Sequence, residues 1–331
     1  MRVIPAAAGG PKGLILNALD RYIFGEWLGG STQDVHLLGA SIGAWRMGAA
    51  GLNNPVQALA RLADEYVHQR YDSLPGKRPT AAEVTRGFSA SLAAFFGGRE
   101  GELLSHPRYR LHVFTSRGRH LLAREGRLRT PIGYGAAFAA NLLARRAMGS
   151  WLERVVFSDP RSPLPMPLND YRSRQVELSA GNLQRAVLAS CSIPFWLQAV
   201  QDISGAPRGA YWDGGITDYH LHLNYGAMVG DGIVLYPHFQ KQVIPGWLDK
   251  KLKSRHASSA FLDNVVLLAP NPAWVATLPR GKLPDRDDFQ YYGEDLERRA
   301  SAWKLAIAEG DRLRDEFAAA CKQAQLTALP L

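Results

Sequence analysis

The stretch that decides the fold lies near the start of the chain and reads VHLLGASIGAWRM, residues 35–47. An apolar run ends in Gly-x-Ser-x-Gly around Ser41 and leads into an Ala-rich segment that favours helix. This order predicts a strand, a sharp turn with the serine at its apex, and a helix, which together form a nucleophile elbow. Gly39 and Gly43 would let strand and helix approach closely. The motif can also arise by chance in a chain with 32 Gly, and its apolar and Ala-rich flanks are what favour the elbow.

A second glycine-rich turn precedes the elbow. Residues 2–8 predict a short strand, which is followed by GGPKG and a helix-like apolar segment. Such a turn presents backbone N–H groups to an anion, and a phosphate loop is the rival interpretation. The spacings of phosphate- and dinucleotide-binding loops are absent, so an oxyanion hole beside the serine fits better. Because Pro11 has no N–H, the expected donors are Gly9, Gly10 and the residues around Lys12.

Composition places the chain among ordinary globular proteins. Its 331 residues are 46% apolar and 21% charged, which allows one large or two modest domains. The net charge of +9 favours acidic partners, but the arginines are spread over the chain and no nucleic-acid-binding signature is present. An anionic membrane or substrate is therefore the better expectation. Cys191 and Cys321 lie in apolar surroundings and read as packing residues, and no cysteine or histidine spacing predicts a metal site.

Neither a signal peptide nor a membrane span is predicted. The apolar run at residues 3–8 is short and is interrupted by Pro5, so it falls short of a secretory signal. No window is long and apolar enough for a transmembrane helix. We therefore expect a cytoplasmic protein.

The remaining chain alternates between helix-like and strand-like segments. Helices are predicted at residues 44–51, 54–70, 80–96, 135–152, 182–191 and 285–324. Asn54 and Thr80 are expected to cap the second and third of these, and residues 285–324 form either one long charged helix or a pair of helices. Strands are predicted at residues 111–115, 154–158, 211–213, 232–236 and 264–269, the last two as buried strands, with loops at 73–79 and 160–167. This alternation predicts an α/β fold in one domain over residues 1–331, with a largely parallel sheet covered by helices on both faces.

A serine hydroxyl needs a base before it can attack a substrate. Ser41, Asp213 and one of the later histidines, His220, His222 or His238, follow the chain order of an α/β-hydrolase triad. The serine comes too early for that fold, because only two predicted strands fit before it. The alternative is that Asp213 acts directly, since partial burial between aromatics and a glycine turn would raise its proton affinity. Asp-Gly-Gly could equally be a tight turn whose carboxylate binds its own backbone.

Together these segments resemble the patatin-like phospholipase family. The resemblance rests on four motifs in order: GGPKG at residues 9–13, GASIG at 39–43, ASCSIP at 189–194 and DGG at 213–215. It implies a three-layer α/β fold, with Ser41 as nucleophile and Asp213 as its base in the turn made with Gly214 and Gly215. It also implies an oxyanion hole from the Gly9–Gly10 loop and hydrolysis of lipid acyl esters, with no metal or organic cofactor. One position departs from the family: Ala8 stands where the first of three glycines is usual.

The sequence thus predicts a lipid acyl hydrolase that forms an acyl-serine intermediate on Ser41. The resemblance implies the phospholipase A or lysophospholipase type, with a phospholipid or its lyso form as the substrate. A general esterase, a thioesterase or an acyltransferase with the same dyad remains open, as does a non-catalytic lipid- or partner-binding protein. Lys12 could support its loop or meet a substrate phosphate. The histidines near Asp213 are expected to be structural or to face the substrate. Residues 244–256 predict contact with an anionic membrane, although an ordinary exposed basic helix explains them as well; the residues concerned are Trp247, Lys250, Lys251 and Lys253.

Overall fold

A computed structural model describes residues 1–70, 79–323 and 329. It contains nine strands in one sheet: β1 (Val3–Ala6), β2 (Val35–Ala40), β3 (Tyr109–Gly118), β4 (Leu152–Ser158), β5 (Ser173–Glu177), β6 (Val200–Gln201), β7 (Ala210–Asp213), β8 (Val234–Pro237) and β9 (Val265–Leu268). The main strand order is β5-β4-β3-β2-β1-β8-β9, and β7 pairs with both β3 and β6. Five strand pairs are parallel, whereas β3–β4, β3–β7 and β6–β7 are antiparallel.

Helices surround this sheet. They are α1 (Asn17–Tyr22), α2 (Ile42–Ala50), α3 (Pro55–Val67), α4 (Ala81–Phe96), α5 (Glu100–Leu104), α6 (Arg129–Leu143), α7 (Leu183–Ser190), α8 (Pro272–Val275), α9 (Asp287–Tyr292), α10 (Leu296–Glu309) and α11 (Asp311–Gln323). The predicted α/β class with a mostly parallel central sheet is confirmed. Within the described ranges, no helix combines the length and the apolar character that a membrane crossing needs.

Two predicted helix starts are confirmed together with their caps. The Asn54 side chain accepts a hydrogen bond from the amide of Gln57 at the start of α3. At α4, Thr80 and Glu83 form a reciprocal capping box. Each cap satisfies amide groups that have no partner inside the helix. Of the loop predicted at residues 73–79, only Pro79 lies within the described residues.

Two predicted long helices are wrong in extent. The helix predicted at residues 135–152 is α6, which ends at Leu143 because Ala144 is extended (φ −161°) and a 3-10 segment follows. In that segment the Arg145 guanidinium donates to the Thr217 carbonyl at 2.5 Å, so a tertiary contact favours the 3-10 geometry over a continued α-helix. The helix predicted at 285–324 is α9, α10 and α11, with its final position outside the described residues. Gly293, in the left-handed region (φ 54°), ends α9.

The prediction of two buried strands holds only for β8. All four residues of β8 are buried, whereas β9 is only partly covered and Val266 is 36% exposed. The reason is position, since β9 is the last strand at one edge of the sheet. An apolar run alone does not distinguish a central strand from an edge strand.

Strand β3 brings two distant parts of the chain together. Its first half pairs in parallel with β2 up to Ala40 opposite Phe114, and its second half pairs antiparallel with β7 from Asp213 opposite Thr115. The carboxyl ends of β2 and β7 therefore meet head to head along one side of β3, at neighbouring register positions. Whatever follows β2 must lie beside the last residue of β7.

Candidate active site

Ser41 occupies the predicted elbow between β2 and α2. Its backbone has φ 56° and ψ −132°, a conformation that side-chain-bearing residues rarely adopt. A Cβ atom on Gly43 would lie 2.0 Å from the Ala6 carbonyl oxygen, and one on Gly39 would lie 2.5 Å from the Ala44 nitrogen. Both predicted glycine positions are therefore sterically required, and the strained turn is confirmed.

The strained backbone is held by Ser190, at the end of α7. The Ser41 N–H donates to Ser190 Oγ at 2.8 Å, and Ser190 Oγ donates to the Phe114 carbonyl at 2.7 Å. Ser190 is fully buried, so this connection is protected from water. The elbow is thus tied to β3 at the register position where β2 ends. Sequence reasoning quoted Ser190 inside a motif but gave it no such part.

The structure brings together the two residues expected to form the dyad. Ser41 Oγ donates to Asp213 Oδ2 at 2.7 Å, across 172 positions of sequence. The other carboxylate oxygen, Oδ1, accepts the Gly215 N–H at 2.7 Å. Ser41 is 3% exposed and Asp213 5%. Asp213 therefore makes the predicted turn contact through Oδ1 and bonds to Ser41 through Oδ2, and its part as the base stays a prediction.

The environment of Asp213 makes it a stronger base than an ordinary carboxylate. Burial raises the pKa of Asp213 from 3.8 to about 6. The hydrogen bond from Ser41, the charge of Arg286 and the Gly215 N–H act in the opposite direction and limit the rise. A carboxylate with this pKa is ionised at neutral pH and still takes a proton readily, as a general base must.

Both glycines of the base turn have tight surroundings. A Cβ on Gly214 would lie 2.0 Å from the Phe114 carbonyl oxygen. On Gly215 it would lie 2.6 Å from the methyl group of Ala8. The methyl of Ala8, the position that departs from the family pattern, therefore packs against a residue that has no side chain.

None of the three candidate histidines is bonded to the dyad in the described structure. His220 Nδ1 accepts the Ile244 N–H at 3.0 Å, and His238 Nδ1 accepts the Gln240 N–H at 3.0 Å. His222 Nε2 lies 3.3 Å from Ser259 Oγ. Burial lowers the pKa of His220 well below its usual value, so its ring is neutral at physiological pH.

The glycine loop lies next to the elbow, as predicted from adjacent strands. β1 pairs with β2 through Ala6 opposite Gly39, so the chain after β1 runs past Ser41. Gly9 and Lys12 line the same pocket as Ser41. Gly10 adopts a left-handed φ of 59°, and a Cβ there would lie 3.4 Å from Arg286 Nε. The oxyanion role of these amides stays a prediction.

The pocket above the dyad has a volume of about 270 Å³. Three cations line it: Lys12, Lys250 and Arg286. Desolvation, together with the nearby charges of Lys12 and Arg286, lowers the pKa of Lys250 to about 8. The Lys250 ammonium lies 4.3 Å from the centre of the Tyr219 ring. Asp213, Asp285 and Asp287 line the same pocket, so its lining carries three acidic and three basic side chains.

The residues predicted for membrane contact divide into two groups. Trp247 and Lys250 line the pocket, whereas Lys251 and Lys253 are exposed outside its lining. The segment forms short 3-10 turns, Trp247–Asp249 and Lys253–Arg255, in place of a basic helix. The buried Asp249 ties them down by accepting hydrogen bonds from Asn141 and Arg255, each at 2.8 Å. Sequence reasoning missed Arg286 at the pocket, because nothing near residue 286 distinguishes it from other surface arginines.

Comparisons with known proteins add only distant likenesses. No protein-family model matches the sequence, and no curated protein matches it. VipD from Legionella pneumophila is 13% identical, with a TM-score of 0.40 over 95% of this chain and 67% of VipD. The type III effector protein ExoU is also 13% identical, with a TM-score of 0.31 over 94% of this chain and 53% of ExoU. At this similarity neither protein assigns a chemistry to the chain, which spans about two thirds of one and half of the other.

Proposed function

We propose that this protein is a serine acyl hydrolase in which Ser41 is the nucleophile and Asp213 its base. The observation that carries the proposal is the 2.7 Å hydrogen bond from Ser41 Oγ to Asp213 Oδ2, made from a strained elbow turn. Strain of this kind persists where the surrounding structure imposes it, and it keeps the hydroxyl at the pocket. The raised pKa of Asp213 supports the same assignment.

The reaction follows from the positions of these groups. Ser41 Oγ attacks the acyl carbonyl carbon while Asp213 Oδ2 takes the hydroxyl proton. The tetrahedral intermediate collapses, the ester C–O bond breaks, and the proton passes to the leaving alcohol oxygen. A water molecule then attacks the acyl-serine, gives its proton to Asp213, and Ser41 leaves with that proton restored. The negative charge on the former carbonyl oxygen needs N–H donors, and Gly9, Gly10 and the first turn of α2 are the proposed source.

The proposed substrate is a lipid acyl ester that carries an anionic group near the scissile bond. Lys12, Lys250 and Arg286 support this choice, because each can donate hydrogen bonds to a phosphate or carboxylate, although Asp285 and Asp287 share the lining with them. The resemblance of the sequence motifs to patatin-like phospholipases points the same way. A general esterase, thioesterase or acyltransferase would use the same dyad.

A fluorophosphonate probe tests the nucleophile. The expected result is labelling of the wild type, none of Ser41→Ala, and normal labelling of Ser192→Ala, a fully buried serine that is two residues from Ser190 and serves as a matched control. Hydrolysis of a panel of p-nitrophenyl esters and phospholipids, with Ser41→Ala alongside, then ranks the substrates. Labelling that persists in Ser41→Ala, or its absence in the wild type, contradicts the proposal and leaves a binding protein as the alternative.

A further inference from the structure

Helix α6 exposes an apolar face that the proposed chemistry does not use. From Thr130 to Ala144 the chain carries no charged side chain. At 100° per residue its exposed large side chains fall within a sector of about 140°, and the buried ones lie opposite. They belong to Leu128 (74% exposed), Ile132 (59%), Phe138 (38%), Leu142 (49%) and Leu143 (87%). Soluble surfaces rarely gather so many large apolar side chains on one helix.

This exposed face continues towards the pocket through a pair of exposed aromatic residues. Near the first end, Phe195 (61% exposed) contacts Tyr134 of α6, with ring centres 6.0 Å apart, and Trp196 beside it is 40% exposed. Ile193 and Pro194, immediately before this aromatic pair, line the pocket. Near the second end, the buried side of α6 is joined to the pocket wall, because Asn141 donates to Asp249 in the turn that brings Trp247 to the pocket. We call Leu128 and the four exposed α6 side chains, together with Phe195 and Trp196, the apolar rim.

Cations flank the apolar rim on both sides. Arg124, Arg127 and Arg129 are exposed before and at the start of α6. Lys251 and Lys253 are exposed in the segment joined to its end, where Arg255 donates to the Asn141 carbonyl at 2.6 Å. Over the described ranges, none of the five forms an ion pair. An apolar strip between clusters of cations is complementary to a lipid surface that carries negative charge.

We propose that the apolar rim and its five flanking cations form the surface on which this protein rests on an anionic membrane. Helix α6, with 15 residues and a length of about 22 Å, lies in the plane of the lipid headgroups. Phe195 and Trp196 enter the acyl region, so that a lipid leaving the membrane passes Ile193 and Pro194 on its way to Ser41. This inference concerns where the protein binds, and it stands or fails separately from the chemistry proposed above.

The test compares charge insertions at exposed apolar positions inside and outside the rim. The rim pair is a double variant with Leu128→Glu and Leu143→Glu. These are the two most exposed side chains of the rim, so the folded state should tolerate both changes. Val229→Glu with Leu305→Glu is the control, at apolar positions 74% and 53% exposed elsewhere. Both pairs are placed in a Ser41→Ala background, so that lipids stay intact, and sedimentation measures binding to phosphatidylcholine vesicles with and without phosphatidylserine. The rim pair should lose on the order of a hundredfold in affinity, because two apolar side chains no longer insert, and the control should change little.

The charges are tested in the same assay. Arg127→Glu with Arg129→Glu should weaken binding to vesicles that contain phosphatidylserine, with little effect on the weak binding to phosphatidylcholine alone. With Ser41 intact, all these variants should hydrolyse a soluble p-nitrophenyl ester as the wild type does, and this readout reports on the proposed chemistry alone. Equal vesicle binding by the rim pair and its control overturns the inference. Light scattering provides a second way to overturn it. If the wild type is an oligomer and the rim pair makes it dissociate, the rim binds a second copy of the chain instead of a membrane.

Discussion

Replacing Asp213 with Asn should stabilise the protein while abolishing hydrolysis. A carboxyl group whose pKa is raised on folding, here from 3.8 to about 6, favours the folded state below pH 3.8 and loses that advantage as the pH rises through 6. A shift of roughly two pK units at about 1.4 kcal/mol each means that ionised Asp213 costs about 3 kcal/mol at pH 8. An amide stays neutral, can donate to Ser41 Oγ, and can still accept the Gly215 N–H.

The consequence is measurable by thermal unfolding. With an unfolding entropy of about 0.7 kcal/mol/K for a chain of 331 residues, a gain of about 3 kcal/mol raises the Tm by about 4 °C. The gain should shrink towards pH 4, because the wild-type carboxyl is then protonated in the folded state. Ester hydrolysis by the variant should fall by about 10²–10⁴-fold, since an amide cannot accept the serine proton.

A second buried aspartate provides the control. Asp218 is fully buried and paired with Arg154 at 2.6 Å, so Asp218→Asn leaves that buried guanidinium with Asp170 as its remaining carboxylate partner and should destabilise by about 1–3 kcal/mol. The reasoning is refuted if Asp213→Asn lowers the Tm at pH 8, or if it raises the Tm equally at pH 4 and pH 8. Either result would mean that Asp213 is not held in a desolvated, proton-favouring site.

Three further predictions follow from the site. The kcat/KM for a soluble ester should rise with pH through a midpoint near 6, as Asp213 ionises, and a flat profile from pH 5 to 8 would exclude it as the base. Arg286→Gln should move that midpoint upward, because the charge of Arg286 lowers the pKa of Asp213, and should raise KM for anionic esters more than for neutral ones. Gly43→Ala should destabilise by about 3 kcal/mol or more in urea unfolding, since the new methyl would lie 2.0 Å from the Ala6 carbonyl, whereas Gly135→Ala, with open space around it, should stabilise by up to about 1 kcal/mol.

The parts of the fold that could be predicted from sequence are those encoded locally. Gly-x-Ser-x-Gly predicted the elbow because the turn needs a residue without a side chain: a Cβ atom on Gly43 would lie 2.0 Å from the Ala6 carbonyl oxygen. Asn54 and Thr80 predicted two helix starts because a cap is a contact over three residues. Ser41 and Asp213 were singled out because each lies in a short motif with its own steric signature.

What could not be predicted depends on contacts between distant segments. Helix α6 ends at Leu143 because Arg145 bonds to Thr217, which is 72 residues away in the sequence. The Ala- and Leu-rich pattern around residue 143 cannot predict that contact. Strand β9 reads like β8 in sequence, and only the strand order makes it an edge. Arg286 reaches the pocket because α9 packs there, which a lone surface arginine does not reveal.

The head-to-head meeting of β2 and β7 along β3 has a consequence for the newly made chain. Ser41 is synthesised early, but its proton acceptor is 172 residues further on and can take its place only after β7 has paired with β3. A ribosome-bound or truncated chain that ends before residue 213 holds a serine without a base. Under the proposed mechanism, an unfinished copy of this protein would leave lipid esters intact, and activity would begin only with the late pairing of β7 and β3.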